Sequence, residues 1–95
     1  MQADINNLVK LFDALSNEQR LKIVNLILLS NRPIHVKGIA RELKLDYAAA
    51  YRHIEKLREA GILGIHEVGR SRVPYLQNRE KLTALVEVAS SLYVK

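Results

Sequence analysis

Residues 45–63 read LDYAAAYRHIEKLREAGIL, and the fold turns on how this stretch is read. Asp46 stands where a helix N-cap belongs, so a helix is expected from Tyr47 to about Ala60, ended by Gly61. On a helical wheel Ala50, Ile54, Leu57 and Gly61 share one sector and are expected to face a core, with Ala48, Arg52, Glu55 and Glu59 opposite. The beginning of this helix differs from its end. Three alanines lie between Tyr47 and Tyr51, and Arg52 and His53 follow at once. Small residues beside aromatic and basic ones suit a helix tip that must enter something narrow and negatively charged.

The flanking sequence supplies the rest of the architecture. Upstream, Asp4 is placed to cap a first helix reaching Leu15, with Ile5, Leu8, Val9, Phe12 and Leu15 at helical spacing. Ser16 reads as the next N-cap with Gln19 at the capping-box position. The second helix carries Leu21, Ile23, Val24, Leu26, Ile27 and Leu28, apolar on more than one side, which implies deep burial. Asn31-Arg32-Pro33 ends it. A short helix over Val36 to Lys44 turns Ile39, Ala40 and Leu43 inward, and Lys44-Leu45-Asp46 forms a tight turn.

Downstream of Gly61 the period changes to two, as a strand requires. Gly69-Arg70-Ser71-Arg72 reads as a hairpin tip and Val73–Leu76 as the returning strand, on an edge because Pro74 cannot donate to a ladder. Asn78 is placed to cap a last helix with the stripe Leu82, Leu85, Val86, Ala89, Leu92 and Tyr93. The expected fold is therefore mainly α with a small β-hairpin, in the order α-α-α-α-β-β-α: a winged helix-turn-helix over residues 1–95.

Composition narrows the function. The chain has 95 residues, enough for one compact domain. It has no cysteine, which excludes disulfides, thiolate metal sites and cysteine nucleophiles. No secretory signal or membrane-length apolar run is present, so cytoplasmic residence and no membrane partner are expected. Net charge is +5, and residues 35–81 alone hold ten Lys/Arg against six Asp/Glu. A basic centre points to a polyanion. No Ser-His-Asp order, glycine-rich phosphate loop or catalytic carboxylate pair stands out, and the three histidines show no ligand spacing. Neither an enzyme nor a cofactor is expected.

Three segments carry a family likeness. LFDALSNEQRLKIVNLIL (Leu11 to Leu28), the pair GIARELKLD and AAAYRHIEKLREAGIL, and the wing from Ile65 to Leu76 together resemble ArsR-type winged-helix repressors. The resemblance implies a dimeric regulator of transcription that binds double-stranded DNA. It does not extend to metal sensing. The chain lacks the Cys-x-Cys pair, and residues 79–95 contain no His or Asp from which a last-helix site could be built. Lys44 stands where such proteins often have glycine. Tyr47, Ala48, Ala49 and Tyr51 replace the polar residues common at the start of the recognition helix.

Within that frame Tyr47, Ala48, Tyr51, Arg52 and His53 are expected at the major groove, the alanines against thymine methyls and Arg52 on guanine or phosphate. Lys37, Arg41 and Lys44 are placed for backbone phosphates, and Arg70, Ser71 and Arg72 for a phosphate or minor-groove contact by the wing. Each has a blander reading: the tyrosines and His53 as packing residues, the cations as solvated surface. The first and last helices share a stripe that a small core cannot cover. Ile5, Leu8, Val9, Phe12, Leu82, Leu85, Val86, Ala89, Leu92 and Tyr93 are therefore expected to form a two-fold homodimer interface. Two rival functions stand beside the sequence-specific regulator: a chromatin-type protein with little sequence preference, and a winged-helix module that binds protein. Operator, regulated genes and any small-molecule effector are not written in the sequence.

Overall fold

The computed structural model describes residues 4–93. Its elements are α1 (Ile5–Leu15), α2 (Glu18–Leu29), α3 (Val36–Leu43), α4 (Tyr47–Glu59), β1 (Leu63–Val68), β2 (Ser71–Leu76) and α5 (Arg79–Ser91). This is the winged helix-turn-helix order.

Local chemistry sets most boundaries. Asp4, Asp46 and Asn78 each accept a hydrogen bond from the backbone N–H three residues on, satisfying donors that a helix start leaves unpaired. The second helix corrects the expectation. Asn17, not Ser16, is its N-cap and accepts from Arg20 N at 3.0 Å, while Ser16 closes α1. Gln19 is thus one residue too early for a capping box, and its Oε1 is buried without a partner among the described residues.

The two turns that bracket α4 have the same closure. Ile62 N–H donates to Leu57 O at 3.0 Å and Gly61 N–H to Arg58 O at 2.9 Å, with Gly61 at φ 81°. Leu45 N–H donates to Ala40 O at 2.9 Å and Lys44 N–H to Arg41 O at 3.3 Å, with Lys44 at φ 56° and ψ 43°. Both are Schellman motifs, which need a left-handed residue. A lysine there costs about 1–2 kcal/mol through the Cβ–carbonyl clash that glycine avoids.

The core gathers one face from each central element: Ile23, Val24 and Ile27 of α2, Val36, Ile39 and Ala40 of α3, and Ala50, Ile54 and Leu57 of α4. Ile62, Leu63, Ala14 and Leu82 complete it. Each fully buried Ile or Leu contributes roughly 1.5–3 kcal/mol of transfer free energy. The α4 wheel is realised for Ala50, Ile54 and Leu57, which are fully buried, whereas Gly61 lies past the helix end and is exposed. The wide apolar surface of α2 is only partly covered, since Leu21 and Leu29 remain exposed.

The wing is an antiparallel hairpin with Val68 paired to Ser71. Its turn is therefore the two residues Gly69 and Arg70, with Gly69 at φ 61° supplying the positive angle of a type II′ turn. Ser71 and Arg72, expected at the tip, begin β2 instead. Pro74 faces Ile65 and is buried. With only two strands, every strand keeps one unpaired edge, where proline is tolerated. A Cβ on Gly64 would collide with the Tyr75 ring, so glycine lets that ring cross there and stack on His66 at 4.2 Å.

The last helix is fastened by a residue the sequence did not single out. Arg79 donates to Leu28 O at 2.9 Å and Ile27 O at 3.2 Å, capping the carbonyl end of α2 with a cation. Leu82 then enters the core, while Val88, Leu92 and Tyr93 stay exposed.

Candidate nucleic-acid interface

The cations of the chain divide into two groups. Some are held within the protein: Arg79 on α2, Arg20 on the end of α1, Lys56 against Asp13 at 3.6 Å, and Arg58 on Glu55 at 2.9 Å. The Arg58 guanidinium donates to both Glu55 oxygens and holds that carboxyl below its ordinary pKa, with smaller contributions from the Tyr51 hydroxyl and the Arg72 charge. The Glu55 charge is thereby matched by Arg58, although it sits on the helix that carries the candidate surface.

Lys10, Arg32 and Lys81 are exposed without an ion pair to a described residue, and so are five more: Lys37 and Arg41 on α3, Lys44 in the left-handed turn, Arg52 on α4 and Arg70 in the hairpin turn. These five positions follow the path of the helix-turn-helix and the wing. Tyr47 and Ala48 are exposed at the start of α4, with nothing of the described chain covering that end.

Three side chains are brought together that lie apart in sequence. The Tyr47 and Tyr51 rings are parallel, at 6.1 Å between centroids and 7° between planes. The Arg72 guanidinium carbon lies 4.7 Å from the Tyr51 ring centre. Tyr51 and Arg72 are half-buried, so the wing strand and the recognition helix share this cation–π contact.

His53 does not belong to that surface. Arg20 Nη1 lies 3.3 Å from its Nδ1, and Arg20 also donates to Ala14 O at 2.6 Å and Asp13 O at 3.2 Å. A guanidinium can only donate, so Nδ1 must accept and the imidazole is neutral. Burial pushes the His53 pKa down, and the charges of Arg20 and Arg52 add to it. The ring is a packing element between α4 and α2, not a phosphate donor. No helical wheel shows Arg20 reaching it, because the partners are on different helices.

The apolar stripes on the outer helices are divided in a similar way. Ile5, Val9 and Phe12 of α1 are 67, 59 and 54% exposed, whereas Leu8 is half-buried. On α5, Ala89, Leu92 and Tyr93 are exposed, Leu85 and Val86 are half-buried, and Val88 joins the exposed face although the stripe did not include it. Leu82 is corrected: at 8% exposure it belongs to the protomer's own core.

Among the described residues no three His, Asp or Glu side chains are grouped to hold a metal ion, and no helix is long and apolar enough to cross a membrane. The family model described as bacterial regulatory protein, arsR family, matches residues 17–63. An uncharacterized HTH-type transcriptional regulator of Methanocaldococcus jannaschii is 37% identical over 57 residues, covering 60% of this chain. The match spans 58% of that relative's length. Among solved structures, a homodimeric winged helix-turn-helix DNA-binding domain from Mycobacterium bovis, described as a possible ArsR-family regulator, superposes with a TM-score of 0.82 at 20% identity. That likeness covers 100% of this chain and 93% of the other. HlyU from Vibrio cholerae gives 0.79 at 24% identity, over 100% of both chains. At these identities the structural likeness speaks for the fold. The matching family is one of regulatory proteins and not of enzymes.

Proposed function

This chain is an ArsR-type winged helix-turn-helix protein, and from that premise we propose that it is a transcriptional regulator that binds double-stranded DNA as a homodimer. The carrying observation is the uncovered start of α4, where exposed Arg52 stands beside Tyr47 and Ala48. An α-helix fits the major groove, and its N-terminal residues meet base edges there. Ala48 gives close approach and packs on thymine methyls. Arg52 reads guanine. Lys37, Arg41 and Lys44 neutralise phosphates on either side of the groove, and Arg70 does so from the wing.

The homodimer rests on the exposed Ile5, Val9 and Phe12 on α1 together with Val88, Leu92 and Tyr93 on α5. The Mycobacterium bovis domain of the same fold is described as homodimeric. In this reading residues 1–95 act as one DNA-binding unit, with the outer helices as its seam. A two-fold axis through α1 and α5 sets two recognition helices about 34 Å apart, one turn of B-DNA. The protein works in the cytoplasm, where its target lies, and needs no cofactor for binding.

The test is a binding titration on duplex selected from a random pool, repeated over a range of salt. Log affinity should fall linearly with log salt, at about −0.9 per phosphate contacted. Arg52→Ala should remove more affinity from the selected duplex than from random duplex. Equal loss on both would move Arg52 to the phosphate backbone. One observation favours a coat-like protein of low specificity: no Asn, Gln, Ser or Thr occurs between Tyr47 and Ala60, so the usual bidentate partners of adenine are missing. Failure of selection to enrich any sequence would support that second reading.

A further inference from the structure

We propose that Arg72 is a positioning residue: its guanidinium over the Tyr51 ring locks the wing against the start of α4, and Arg70 alone carries the wing's phosphate contact. This rests on the DNA-binding reading above. Both arginines lie near the hairpin end in sequence, but the structure separates them. Arg70 is one of the two turn residues and is exposed. Arg72 is one residue further into β2, half-buried, with its guanidinium carbon 4.7 Å from the ring centre.

The charges around Arg72 agree with that assignment. Its cross-strand partner is Glu67, and its field reaches Glu55. Two carboxylates therefore stand near it, the half-buried Glu55 and the exposed Glu67, and they offset part of its pull on a phosphate. The contact links β2 to the helix start, since Tyr51 in turn stacks on the exposed Tyr47. A two-stranded wing fixed only at its base can tilt about that base. A cation–π contact part-way along β2 removes that freedom and sets the distance between the Arg70 probe and the groove-reading residues.

The experiment compares Arg70→Ala, Arg72→Ala, Tyr51→Leu, Tyr51→Phe and the Arg72→Ala/Tyr51→Leu double variant in salt-titrated binding to a selected duplex. Arg70→Ala should reduce the log–log salt slope by about 0.9, the signature of one lost phosphate. Arg72→Ala should leave the slope unchanged and weaken binding roughly three- to tenfold, as loss of a cation–π contact implies. Tyr51→Leu should do the same, and Tyr51→Phe, which keeps the ring face and loses only the hydroxyl, should weaken binding less than Tyr51→Leu does. The double variant should be no weaker than either single one. A slope change for Arg72→Ala, or additive losses in the double variant, overturns the proposal. Amide hydrogen exchange on the free protein gives a second readout that needs no DNA. Exchange across residues 64–76 should quicken in Arg72→Ala and Tyr51→Leu but not in Tyr51→Phe. If the parent protein binds no duplex at all, the DNA reading fails, and the exchange pattern still decides whether the contact positions the wing: unchanged exchange refutes it.

Discussion

Replacing Arg20 by methionine should cost more stability than any other single change to a part-exposed cation in this protein. The Arg20 guanidinium meets three acceptors: Ala14 O at 2.6 Å, Asp13 O at 3.2 Å and His53 Nδ1 at 3.3 Å. It thereby caps the carbonyl end of α1 and ties both α1 and α2 to α4. Methionine keeps the aliphatic stem and its packing, so the change isolates the guanidinium. A hydrogen bond to a charged group contributes about 1.5–3 kcal/mol. The short bond to Ala14 O is expected to reach that range. The two longer ones are part-exposed, and water can replace them, so each counts as about 0.5 kcal/mol. The expected loss is then about 2.5–4 kcal/mol. For a chain of this size that lowers Tm by roughly 10–30 °C. Urea unfolding followed by circular dichroism measures it, with an unchanged m-value expected because the same surface is exposed on unfolding. Arg20→Lys should recover less than half, because one ammonium cannot span three acceptors set around a planar fork. A loss under about 0.5 kcal/mol, or full recovery by lysine, would show that the guanidinium is solvated and that α1 holds without it.

Three further outcomes follow from the geometry. His53 has a depressed pKa in the folded state, so between that value and the unfolded value of about 6.5 the unfolded chain binds more protons. Stability should therefore fall as pH is lowered through this window, and His53→Gln should flatten that part of a Tm-against-pH curve. Lys44→Gly relieves a left-handed lysine but loosens the unfolded chain, which leaves a net gain of about 0.5–1 kcal/mol by denaturant titration. The same change should lower the salt slope of DNA binding if Lys44 contacts phosphate, and leave it alone if it does not. Phe12→Glu places a charge on the exposed face of α1. It should shift a sedimenting homodimer to a 10.8 kDa particle with little loss of fold, and sedimentation of the parent as a monomer at micromolar concentration would remove the basis for the homodimer.

The sequence by itself determined the order of elements, three of the four side-chain caps named from it and the inward faces of α3 and α4. Those features depend on residues one to four positions apart, where backbone geometry alone decides what meets what. The α2 cap was misplaced by one residue because Ser16 and Asn17 are both good caps, and the end of α1 decided between them. Tertiary structure decided the rest. The two wing arginines read alike until the strand register placed Arg70 in the turn and Arg72 over Tyr51. His53 stood between a groove contact and a packing residue until Arg20, thirty-three residues away, engaged its Nδ1. Arg79 carried no signal until it met the end of α2, and Leu82 lay in a dimer stripe until the core closed around it. In each case the deciding partner lies on another element, and a one-dimensional pattern holds no record of which helix a side chain will touch once the chain has folded.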